Sequence, residues 1–297
     1  MLDGRTHSLR AQRAAPLPVG EMMRGKSREE VAELLPRLFN LCRSAQAMAA
    51  RLALGMPEAE DSDALRTEIL RDHILRLTMI LPGHFGQSPL SLPTGWQSGG
   101  DLLAEALFGP QRELPDAPEA FDAFCQADTG VALLFQKISS LFHAGEAVSD
   151  ALPFVSGKTG LDPLARVENS CAVRVQDHPV VTAVEKTHGR GPLWRVVARA
   201  YDLQAMLQGT PLLARSPQPG VAQVPATRGL YTVQAETEAD LVTRFARVTP
   251  TDHLQARGGV MDQTLASLGA DRTGLAPLVI DILDPCSPIR VTEVAHA

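Results

Sequence analysis

From Ser62 to Leu81 the apolar residues Leu65, Ile69, Ile74, Leu77 and Leu81 recur at helical spacing, so this stretch predicts an amphipathic helix. Pro82-Gly83 stops it. Upstream, Ser27 and Glu30 have the spacing of a capping box that opens a helix. Pro36 should stop or kink that helix, because proline lacks the N–H and restricts the residue before it. A second helix should carry Cys42 to about Leu54 and end at Gly55. Residues 84–100, rich in Pro, Gly and Ser, read as a long loop. Helices are expected over about 100–108, 117–127 and 130–147, and from Pro192 to about Leu207. The segment 167–187 is ambiguous, since its valines suit strands but a helix is open. Residues 208–229 read as loop, and 230–248 as a hairpin around a polar turn. A short helix follows near 258–270.

These elements predict a mainly α (α+β) chain with a small sheet. Residues 1–25 are expected to be poorly ordered, and 26–297 to form a single domain. Hydrophobic residues make up 44% of the 297 and aromatics 4%, so the core must be built from Leu, Val, Ala and Ile. A net charge of −6 with scattered basic residues argues against nucleic acid. No apolar run long enough for a membrane span or a signal peptide is visible. Cys42, Cys125, Cys171 and Cys286 are few and far apart, which suggests free thiols in a cytoplasmic protein.

Alone, each cysteine reads as a small buried hydrophobe. No CxxC, CxxH or HExxH supports a zinc site. "GKTG" lacks the upstream glycine of a phosphate loop, since position 152 is Leu152. His73 falls near the apolar side of its helix and reads as a satisfied structural histidine.

The order of several short motifs points further. "RLFNLC" (Arg37–Cys42), "RDHILRLTMILP" (Arg71–Pro82), "GPLWRVVARAY" (Gly191–Tyr201), "PATRG" (Pro225–Gly229), "VTPTD" (Val248–Asp252) and "DPCSPIRVT" (Asp284–Thr292) follow one another. In that order they resemble motifs of the large subunit of nickel–iron hydrogenases, in shortened form. That family holds its metal pair with four cysteines. The resemblance keeps two of these positions, Cys42 and Cys286. Phe39 and Ile289 stand at the other two, and Gln46 and Thr292 at two histidine positions. The family's opening strand motif is not visible, so the N-terminal part of its sheet is expected to be missing.

The resemblance assigns Arg228, Pro250 and Thr251 to the pocket that receives the cyanide ligands of the iron. Phe39 and Ile289 offer no electron pair, so nickel and hydrogen turnover are not expected. Two thiolates with the cyanide pocket intact suit a carrier of the iron half. This combination resembles the accessory proteins of HupK/HoxV type. It implies a scaffold for the Fe(CN)2CO unit, with a small HypC-like chaperone and the large-subunit precursor as partners. Such a scaffold requires the sulfurs of Cys42 and Cys286 to lie within a few ångströms of each other with Arg228 pointing at the same space, and Cys125 and Cys171 to lie elsewhere as packing residues. A metal-free interaction protein is the alternative, and a divergent metalloenzyme using His253 or His296 is a third reading.

Overall fold

The computed structural model describes residues 6–12, 15, 17–57 and 62–296. The first half is helical: α1 (Val19–Met23), α2 (Arg28–Leu38), α3 (Arg43–Ala53), α4 (Ser62–Leu75), α5 (Leu81–Gly83), α6 (Asp101–Phe108), α7 (Pro118–Cys125) and α8 (Gly130–Leu141). A π turn, Arg76–Ile80, joins α4 to α5, so the predicted amphipathic helix runs on unbroken to Gly83. Next come α9 (Pro179–His188) and α10 (Pro192–Leu207). The last helices are α11 (Pro250–Leu254), α12 (Val260–Ala266) and α13 (Ala276–Leu283).

Six strands form two sheets. β1 (Thr6–Gln12) pairs antiparallel with β6 (Arg290–His296), which ties the two ends of the chain together. β2 (Arg215–Gln218), β3 (Val221–Ala226), β4 (Gly229–Glu238) and β5 (Leu241–Val248) form an antiparallel meander in that order.

Two apolar clusters share α10. The larger gathers residues of α6, α8, α9, α12 and α13 around Trp194, Val197 and Leu203. The smaller packs α2 and α3 on the four-stranded sheet, and Met206 at the end of α10 joins it. Helix α10 is buried along almost its whole length, including Arg195, Arg199 and Asp202. Their charges must find partners inside the protein.

Several expectations are corrected. The segment 1–25 contributes β1 and α1 among its described residues, with Met23 fully buried under the smaller cluster. Residues 1–5, 13, 14 and 16 lie outside the described residues. An N-terminal strand, β1, is thus present with no motif in the sequence to mark it. Pro36 sits inside α2, which continues to Leu38. Only the bond from its missing N–H is lost there, and the helix is about to end. The ambiguous segment forms a 3-10 turn (Cys171–Arg174) and α9, whose first turn holds Pro179 and is capped by His178. The predicted helix over 130–147 ends at Leu141, where Phe142 turns extended. Residues 208–229, read as loop, contain β2 and β3. Val221–Val224 is buried on both faces, so it lacks the alternation that marks a strand. Pro217 lies on an edge strand, where a missing N–H breaks no inner ladder.

Candidate functional site: a cavity shared by two distant cysteines

Cys42 and Cys286 line one cavity of about 500 Å³, together with Arg228, Pro250 and Thr251. Four devices position them. Cys42 occupies the N-cap position of α3 in the left-handed conformation (φ 54°) and makes no side-chain cap. The exposed N–H groups of α3 are met from α4 instead: the Glu68 carboxylate accepts from Ser44 N at 2.9 Å and Ala45 N at 3.4 Å. The thiol is thereby released from capping.

Arg228 sits in the two-residue turn Thr227-Arg228 between the paired residues Ala226 and Gly229. Asn169 clamps the next residue, with Nδ2 donating to Leu230 O (3.0 Å) and Oδ1 accepting from Leu230 N (2.7 Å). Arg174 donates to Ala226 O at 2.8 Å on the other side of the turn. Thr249 and Asp252 form a capping box that opens α11, with Pro250 at its first position and Thr251 next.

The C-terminal motif is locked by charge. Asp284 is buried in the left-handed conformation (φ 55°). Its carboxylate meets Arg228 at 3.0 Å, Arg199 at 3.1 Å, and Arg76. Its carbonyl accepts from Arg228 Nε at 2.9 Å. Arg228 also pairs with Asp72 at 3.0 Å and points Nη1 at Cys42 Sγ, 3.5 Å away. Two residues on, Cys286 N donates to Thr251 Oγ1 at 2.9 Å. The Thr251 hydroxyl keeps its own proton free to donate into the cavity.

Burial pushes the Cys42 thiol up to about 12, and the neighbouring Arg228 guanidinium opposes that rise. Asp284 is held below the usual carboxylate range: its three guanidinium partners outweigh the cost of burial.

Phe39 lines the same cavity and lies under the Arg247 guanidinium, 4.0 Å from ring centroid to carbon. Gln46 also lines it, buried, with its Oε1 unpartnered. Ile289 packs against the larger apolar cluster, and Thr292 lies in β6. Both nitrogens of His253 are engaged, by Asn169 and by Asp162 O, so it is a structural histidine. The side chain of His296 lies outside the described residues. Cys125 packs against the larger cluster, on a different surface cavity.

Cys171 is buried beside His73 and Asp202, and one ligand atom from each lies within 4.8 Å of the others. That group already holds cations: Arg174 donates to both Asp202 oxygens, at 2.7 and 2.6 Å, and Arg199 meets His73 at 3.1 Å. His73 is thus the satisfied buried histidine its sequence position implied, bonded to Asp202 at 2.6 Å.

Asp72 and Asp284 stood inside motifs quoted from the sequence but were not assigned to the site. Their signal was an aspartate next to the buried His73 on the amphipathic helix and another beside a candidate ligand. Arg76 and Arg199 carried no such mark.

The fold is that of a nickel–iron hydrogenase large subunit. The chain superposes on the Ni-Fe-Se hydrogenase of Desulfovibrio vulgaris Hildenborough with a TM-score of 0.57, at 14% identity, covering 95% of this chain and 99% of that one. Against an NAD+-reducing NiFe hydrogenase the TM-score is 0.51 at 16% identity, over 92% and 90% of the two chains. No family model matches the chain. A hydrogenase expression/formation protein, HupK of Rhodobacter capsulatus, is 48% identical over 284 residues, 95% of this chain and 92% of the relative. The chain belongs to the HupK family of hydrogenase expression/formation proteins.

No described helix is long and apolar enough to cross a membrane.

Proposed function

We propose that this chain is a scaffold in NiFe hydrogenase maturation that holds or assembles the Fe(CN)2CO unit and passes it to the hydrogenase large-subunit precursor. It turns over no hydrogen and takes no nickel. The observation that carries this reading is one cavity that gathers Cys42, Cys286, Arg228, Pro250 and Thr251. Cys42 and Cys286 supply two sulfurs. Arg228 and Thr251 supply N–H and O–H donors for cyanide nitrogens, and Pro250 an apolar wall. Of the two lost cysteine positions, Phe39 lines this cavity without a donor atom, and Ile289 packs against the larger apolar cluster. A small HypC-like chaperone in the cytoplasm is the expected source of the iron unit.

A metal-free interaction protein is the second reading. It is favoured by the raised pKa of Cys42, which keeps that thiol neutral when no metal is bound. Metal binding must displace this proton.

Infrared spectroscopy separates the two. The tagged protein is purified without oxygen from cells building hydrogenase. Iron-bound cyanide and carbonyl absorb where proteins are nearly silent. The carrier reading expects such bands, lost in Cys42→Ala and in Cys286→Ala but kept in Cys125→Ala. A blank spectrum from protein still bound to its small partner chaperone selects the metal-free reading.

A further inference from the structure

The side of the cavity where Phe39 stands has a cation of its own. Arg247 on β5 lies over the Phe39 ring and faces the space lined by Cys42 and Cys286. Among the described residues it has no carboxylate partner. The other arginine of the cavity is different. Arg228 belongs to a cluster of three guanidiniums (Arg76, Arg199, Arg228) with three carboxylates (Asp72, Asp281, Asp284), whose formal charges cancel. Arg228 can donate hydrogen bonds but brings no net charge. Asp252 also lines the cavity, with Oδ2 tied to Thr249 in the helix cap.

A second observation points the same way. Tyr231 lines the cavity and is 3% exposed; the Arg247 side chain is placed to bond its hydroxyl oxygen, and the hydroxyl proton has no acceptor among the described residues. The Arg247 guanidinium is close enough to oppose the rise that burial imposes on this phenol. Gln255 adds a buried, unpartnered amide nitrogen to the same lining. A buried donor without an acceptor is costly, and three donor groups facing one space suit an acceptor that arrives from outside.

The substrate proposed above has the matching chemistry. Ferrous iron with two cyanides, one carbonyl and two cysteine thiolates carries two formal negative charges. A hydrogenase offsets thiolate charge with nickel, which this pocket cannot hold. We propose, on the strength of the scaffold reading, that Arg247 is the counter-cation of the loaded pocket and, with the Tyr231 hydroxyl, faces the anionic iron unit from the side of the cavity where Phe39 stands. Phe39, at a lost cysteine position, then serves this charge, because its ring holds the guanidinium flat against one wall by a cation–π contact. The charge is fixed in place yet cannot act as a ligand, so the iron stays exchangeable.

The test compares wild-type protein with Arg247→Gln, Arg247→Lys and Tyr231→Phe, each purified without oxygen from hydrogenase-building cells. Iron per chain and the infrared spectrum are read, with circular dichroism to verify folding. Arg247→Gln should lower retained iron on the order of tenfold, the size of a lost charge-assisted contact. It should also move the carbonyl band of the remaining iron to lower wavenumber, because less positive charge leaves more density for back-donation. Arg247→Lys should restore most of the iron, and Tyr231→Phe should show a smaller loss. Unchanged iron and band positions in a folded Arg247→Gln protein overturn the inference and leave the scaffold reading standing. A wild-type protein without bands overturns both.

Discussion

Asp284→Asn is the sharpest test of how the pocket is held. The carboxylate is 2% exposed and contacts Arg228, Arg199 and Arg76, while the main chain at this residue is left-handed. Asparagine keeps the shape and tolerates the left-handed region, so the change removes charge and little else. The three guanidiniums would then face two carboxylates, Asp72 and Asp281, neither of them deeply buried. Breaking a buried ion-pair network by removing one partner costs about 3–5 kcal/mol. That is a large part of the roughly 5–15 kcal/mol that stabilises a folded domain. Urea unfolding of reduced protein should show this loss in the midpoint with an unchanged slope. At about 2 °C per kcal/mol, the melting temperature should fall by roughly 6–10 °C. On the scaffold reading, surviving folded protein should also retain less iron, since Asp284 orients Arg228 and lies two residues before Cys286. A loss below about 1 kcal/mol would refute the reasoning: the arginines would then be held by packing, not by this carboxylate.

Gly229→Ala should be severe, because a Cβ there would lie 2.3 Å from Asn169 Oδ1 and 2.7 Å from Asn169 O, at φ +139°. A loss of about 3 kcal/mol or more is expected in urea, against about 1–2 kcal/mol for Gly55→Ala, which meets only open space; equal losses would sink the clash argument. Acid should destabilise the protein in two stages. His73 is held below its ordinary pKa by burial. Asp202 and Asp284 are held below theirs by their guanidinium partners, which outweigh burial. Each group binds fewer protons folded than unfolded, so its contribution is complete above the unfolded pKa and is lost as pH falls. Urea midpoints should therefore decline below about pH 6.5 and more steeply below about pH 4, and a midpoint that stays level from neutral pH down to the carboxylate range would contradict the assignment of His73 as buried and neutral.

Much of the helical layout was legible because helices advertise themselves locally. The spacing of Leu65, Ile69 and Ile74, the Ser27–Glu30 box and Pro192 each act within a turn or two of chain. The five pocket residues Cys42, Arg228, Pro250, Thr251 and Cys286 were named from short motifs, and the fold places all five on one cavity. The errors share a cause. β1 is defined by pairing with β6, some 280 residues away, and β3 by burial on both faces; neither leaves a period in its own residues.

The sequence by itself determined most of the longer helices, the hairpin of β4 and β5, and the motif residues that meet on one cavity, because propensity, capping and donor chemistry are properties of residues and near neighbours. Only the tertiary structure decided that Asp284 would collect Arg76, Arg199 and Arg228, that Glu68 would relieve Cys42 of capping, and that Arg247 would reach the cavity over Phe39. Those outcomes rest on long-range packing around α10 and the sheet, where buried charges must find partners wherever the fold brings them.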